Sequence, residues 1–73
     1  MKINANDFDS NDIIRIIREW TELTQKEFGK SIKRSERSVQ NLELGERNYT
    51  FKNLQEICKK HGIDIIIQKK EGK

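Results

Sequence analysis

The apolar residues of this chain come in short, spaced sets, and each set is introduced by a residue able to cap a helix. In FDSNDI, Asp9 is placed to cap, with Phe8 and Ile13 as a hydrophobic staple around it. Ile13, Ile16, Ile17 and Trp20 then fall at the i, i+3, i+4, i+7 spacing of one helix face, with Ile14 to one side. LTQKEF is a full capping box: Thr24 caps, Glu27 reaches back to the Thr24 amide, and Leu23 staples to Phe28, which predicts a second helix to about Ile32. A third helix is predicted from Ser35, with Val39 and Leu42 inward, to Gly45, a residue that tolerates the left-handed conformation of a C-terminal cap. The fourth starts at Thr50, stapled by Tyr49 and Leu54, and carries Phe51, Leu54, Ile57 and Cys58 to His61, with Gly62 closing it.

Beyond Gly62 the period changes from helical to alternating. Ile63, Ile65 and Ile67 point one way and Asp64, Ile66 and Gln68 the other, which predicts a β-strand over residues 63–70. A solitary strand leaves its backbone groups unpaired, so it needs a partner, either MKINAN at the N-terminus or a second copy of the chain; the second copy is preferred. The expected fold is therefore all-α. It is a compact bundle of four to five short helices plus one C-terminal β-strand paired across a dimer through Ile63, Ile65, Ile66 and Ile67. Residues 1–73 form a single domain, with an N-terminal arm over 1–8 and a tail over 71–73.

Composition bounds this picture. With 73 residues, one Cys and 33% hydrophobic residues, the chain supports one small domain whose core is marginal alone, and dimerisation is an ordinary source of added stability. No run approaches the roughly 18 apolar residues of a membrane span, and MKINANDFDS lacks the basic start and apolar middle of a signal peptide, so a cytoplasmic protein is expected. A lone thiol, Cys58, fits a reducing compartment.

The net charge of +3 is unevenly spread: residues 24–49 carry six Lys/Arg against four Glu, residues 59–73 five Lys against two acids, and residues 1–12 one Lys and three Asp. Such basicity is compatible with a polyanionic partner and equally with a solvated surface.

The polar stretch SERSVQNLELG is more informative. On a helical wheel Val39 and Leu42 take one side, while Arg37, Gln40, Asn41 and Leu44 project from the other. Arg can bond the guanine edge in two places, and Asn or Gln the adenine edge, in a major groove about as wide as a helix. On composition alone a face that meets only water is the simpler reading. The surrounding pattern shifts the balance.

From Leu23 to Asn48 the chain reads LTQKEFGKSIKRSERSVQNLELGERN, which resembles the Cro/repressor-type (xenobiotic-response-element-like) helix-turn-helix family of phage and bacterial regulators. The resemblance rests on Thr24-Gln25, Glu27, Phe28, Gly29, Ile32, Ser35, Val39, Leu42, Glu43, Gly45, Arg47 and Asn48, and with the first and fourth helices it extends over roughly residues 10–62. It implies a recognition helix from Ser35, with base-reading positions at Glu36, Arg37 and Asn41 and Gln40 beside them; Arg37 is expected to read guanine and Asn41 adenine. Glu36 suits a cytosine amino group, or equally the positive end of the helix dipole. Phosphate contacts are implied at Thr24, Gln25, Lys33, Ser35, Arg47 and Asn48, although Thr24, Gln25 and Ser35 also have a capping explanation. Glu43 resembles the family's partly buried acid that pairs with a base on the first helix, a place held here by Arg18. The chain departs from the pattern at Lys33, where the turn usually has Gly, at Arg34, where an apolar residue packs, and at Leu44, where a polar one is common.

No catalytic constellation stands out. Cys58 and His61 lie three apart with no orienting acid, and one Cys with one His cannot build a structural zinc site, so neither enzyme activity nor a cofactor or metal is expected. The expected partner is double-stranded DNA at a palindromic operator, bound by a homodimer that regulates transcription, most simply as a repressor. An alternative is an antitoxin that binds a toxin protein and represses its own operon. A third reading, a protein-interaction module that has lost DNA binding, predicts no salt-sensitive affinity for any duplex.

Overall fold

A computed structural model describes residues 1–71. A 3-10 turn at Ala5–Asp7 precedes four α-helices: α1 (Ser10–Thr21), α2 (Gln25–Ser31), α3 (Glu36–Leu44) and α4 (Phe51–Lys60). The start signals act through backbone amides that a helix leaves without partners. Thr24 Oγ accepts from the Glu27 amide and Glu27 returns a bond to the Thr24 amide, while Ser35 Oγ accepts from the Ser38 amide. Thr50 forms a second reciprocal box with Asn53, which the sequence pattern did not suggest because the usual third residue is Glu or Gln. Asp9 occupies the α1 cap position, but its carboxylate makes no capping bond.

Three helix ends close in one way, with a left-handed residue and an amide five residues on returning to a carbonyl, the Schellman arrangement. Gly45 (φ 80°) lets the Glu46 amide reach the Asn41 carbonyl, and Gly62 (φ 69°) lets the Ile63 amide reach Cys58. Between α2 and α3 the left-handed residue is Lys33 (φ 60°), and the Arg34 amide donates to the Gly29 carbonyl at 2.7 Å. The backbone thus closes this turn without a glycine, holding Lys33 in a conformation that costs an L-residue about 1 kcal/mol.

The core consists of Ile14, Ile17, Phe28, Val39, Leu42, Ile57 and Cys58, ringed by half-buried Ile13, Leu23, Ile32, Tyr49, Leu54 and Ile63. The α1 stripe is rotated from the one its spacing suggests. Ile14 is fully buried, whereas Ile16 and Trp20 are only half-buried. This rotation carries Asn11 and Arg18, on the flank of Ile14, toward Glu43 of α3. The staple expected from Phe8 to Ile13 is also weaker than anticipated, since Phe8 is 40% exposed and outside the core cluster.

The strand expected over residues 63–70 is not formed: this segment has no regular structure, and the described residues contain no strand. The physical reason is the missing ladder partner. MKINAN does not supply it, because Asn4 caps the 3-10 turn that follows, and Ile66 and Ile67 stand open to solvent. Of the tail expected over 71–73, residues 72 and 73 lie outside the described residues.

Candidate nucleic-acid interface

The two helices of the motif meet at Gly29. A Cβ built there would lie 2.6 Å from the Arg34 carbonyl oxygen and 3.2 Å from both the Ser35 carbonyl oxygen and a Val39 methyl. Only a residue without a side chain lets α2 approach the turn and the start of α3 this closely. Phe28 beneath it is completely buried, as is Val39 of α3.

With Val39 and Leu42 locked inward, the opposite face of α3 is fixed in space. Glu36 and Arg37 are exposed, and Gln40 and Asn41 are half-buried. Among the described residues no side-chain hydrogen bond engages Arg37, Gln40 or Asn41, so their donors face outward unsatisfied by protein. Leu44 ends the same helix with 69% of its surface exposed.

Glu43 of the same helix anchors a polar joint between three helices. Arg18 Nε donates to Glu43 Oε2 at 2.6 Å and Nη2 to Oε1 at 3.1 Å; Nη1 donates to the Leu23 carbonyl at 3.1 Å. The bond to Glu43 raises the Arg18 pKa above its ordinary value against the opposing effect of burial, so this residue keeps its proton. Gln25 Nε2 donates to Glu43 Oε1 at 3.2 Å, and Asn11 Nδ2 donates to the Glu43 carbonyl at 3.3 Å. Gln25, placed by resemblance among the phosphate contacts, therefore has its side-chain amide directed at Glu43. Asn11 was not singled out in the sequence, and only its three-dimensional proximity to Glu43 identifies it.

The remaining proposed phosphate contacts are spread along the edges of the motif. Thr24 and Ser35 are exposed at helix starts with their hydroxyls accepting capping bonds. Lys33 projects from the turn, and Arg47 and Asn48 are exposed in the loop after α3. That loop is tied to the start of α1 by Tyr49 Oη donating to the Ser10 carbonyl at 2.7 Å and by Ser10 Oγ with Asn48 Oδ1 at 3.5 Å. Half-burial raises the Tyr49 pKa, so the phenol stays a donor. Arg34, in place of the family's apolar residue, folds back half-buried and donates to Ser38 Oγ at 3.2 Å.

Away from this face, Cys58 is buried in the core, and desolvation raises its thiol pKa. His61 Nε2 lies 3.0 Å from Ser31 Oγ, and its ring stacks on Phe28 with centroids 5.4 Å apart. No helix among the described residues is long and apolar enough to cross a membrane.

Two short helices fixed by a side-chain-free contact, the second offering an unsatisfied polar face, define a helix-turn-helix protein. A helix-turn-helix family model matches residues 14–67, more than half of the chain, and the chain belongs to this Cro/repressor-type family of DNA-binding transcription regulators. No curated protein and no solved structure gives a significant match.

Proposed function

We propose that the chain is a cytoplasmic, non-enzymatic repressor that binds a palindromic operator as a symmetric homodimer, with Glu36, Arg37, Gln40 and Asn41 at base edges. Thr24, Gln25, Lys33, Ser35, Arg47 and Asn48 would lie along the phosphates. In this reading Arg37 bonds guanine in two places and Asn41 adenine. The observation that carries it is the position of Arg37: exposed, outside the described hydrogen bonds, and on the face of α3 opposite buried Val39 and Leu42.

The dimer reading is supported by the tail. Ile66 and Ile67 are 68% and 87% exposed, and residues 64–70 make no backbone hydrogen bond among the described residues. Pairing of two such segments through Ile63, Ile65, Ile66 and Ile67 would satisfy both backbones and set two α3 helices about one DNA turn, roughly 34 Å, apart. The same open apolar tail also favours a second reading, in which it binds a toxin protein and the chain is an antitoxin repressing its own operon. Selection of bound genomic fragments at physiological salt tests the main reading: a two-fold symmetric consensus is expected, and recovery of unrelated fragments would refute it. Co-purification of a second protein on the tail would favour the antitoxin.

A further inference from the structure

A groove of about 320 Å³ runs between the turn and α4, and none of Arg37, Gln40 and Asn41 is among its lining residues. Ile32 and Ile57 contribute its apolar lining, and Lys33, Arg34 and Lys60 outnumber Glu56 among its charged residues. Lys33 and Lys60 are exposed and take part in none of the ion pairs among the described residues. A phosphate gains nothing from isoleucine side chains, whereas a ligand joining an apolar group to carboxylates matches both the isoleucines and the excess of cations in this lining.

The chain itself carries such a group. Phe8, exposed and outside the core cluster, stands between Asp7 and Asp9. Among the described residues neither carboxylate enters an ion pair, and that of Asp9 makes no capping bond. Asp7, Phe8 and Asp9 are not among the residues that line the groove of their own chain. Ser10 and Asn11 are fastened near the C-terminal end of α3, through Tyr49 Oη and the Glu43 carbonyl, while Lys33 and Arg34 precede its N-terminal end.

The geometry points to a head-to-tail contact between copies, in which Phe8 of one chain enters the groove of the next and Asp7 and Asp9 meet Lys33, Arg34 and Lys60. The two surfaces differ, so the contact is heterologous and adds copies in a row. A contact this small is weak in free solution and gains strength where copies are already held side by side. On a duplex, a consequence that rests on the DNA-binding reading, it would link adjacent copies cooperatively.

The test uses the full chain without DNA, so its outcome is independent of DNA binding. Ile66→Asn with Ile67→Asn serves as the background, which weakens tail pairing by replacing its two most exposed isoleucines. Sedimentation equilibrium at low salt, up to about millimolar concentration, should show open-ended association in keeping with a small interface. Asp7→Lys with Asp9→Asn should weaken it about tenfold, as should Lys60→Glu with Arg34→Gln, since each reverses the net charge of one surface. An equimolar mixture of the two variants restores opposite charges across the contact and should regain association. Far-UV circular dichroism confirms that each variant is folded. Undiminished association of either folded variant, no association of the background protein, or a mixture that stays dissociated overturns the proposal.

Discussion

Glu43 receives the Arg18 guanidinium through two hydrogen bonds while only 6% of its side chain is exposed. The pair joins α1 to α3, and Gln25 brings α2 to the same carboxylate. Removing one partner leaves a charge in a place where water cannot replace it. Arg18→Met is expected to cost about 3–5 kcal/mol, and adding Glu43→Leu should recover part of the loss because no uncompensated charge remains. Urea unfolding of the two variants measures both numbers; a single-variant cost below about 1 kcal/mol would show the pair to be solvated.

Gly29 is required for steric reasons. Its φ is not positive, and the neighbours of an added Cβ include two backbone carbonyls that cannot move without breaking the turn. Gly29→Ala is expected to destabilise by about 1–3 kcal/mol by overpacking. The shift in urea midpoint checks this, and a variant as stable as the parent would mean that α2 and α3 separate freely.

The position of the motif was legible in the sequence because its determinants are local. Thr24 with Glu27, Ser35 with the Ser38 amide, and the glycines at 45 and 62 act within five residues of themselves, so the pattern carries them. The Arg18–Glu43 pair was expected from the resemblance and is formed, but the rotation of α1 toward Ile14 and the bond from Asn11 were not legible, since Asn11 meets a residue 32 positions away. The missing strand has the same origin: alternation in IDIIIQ describes a segment that could be a strand, but pairing belongs to two segments and one chain supplies only one. On the outward face, the polar residue types were visible in sequence, whereas the engagement of Gln25 with Glu43 was not.

Lys33 gives a prediction in which stability and binding move in opposite directions. Its left-handed backbone suits glycine better, so Lys33→Gly should stabilise the fold by about 0.5–1 kcal/mol. If Lys33 lies against a phosphate, the same change should weaken binding to any duplex and reduce the salt slope of log K by about 1. Thermal unfolding and anisotropy titrations over a salt series separate the two effects. An unchanged salt slope would remove Lys33 from the DNA contacts.

Arg37 and Arg47 are both exposed cations, but they are assigned different work. Arg37→Ala should cost about 1–3 kcal/mol on the selected operator and relax preference at one base pair, whereas Arg47→Ala should weaken operator and random duplex alike. Competition titrations against single-base variants of the operator read this directly. Intact preference after Arg37→Ala would place the reading face elsewhere.

Cys58 links the core to pH. Burial raises its thiol pKa, so between the unfolded value, about 8.5, and the higher folded value the unfolded chain loses a proton that the folded chain keeps. The contribution of the thiol is therefore fully present below about pH 8.5 and declines as pH rises through the folded value. Tyr49, raised for the same reason, adds a second decline from about pH 10. Cys58→Val should abolish the first decline and leave the second, as followed by urea midpoints from neutral pH to pH 10.5. The same burial predicts that a thiol reagent modifies the native protein only as fast as the core opens, and the denatured protein at once. Rapid labelling under native conditions would mean that α4 detaches from the bundle far more readily than its packing implies.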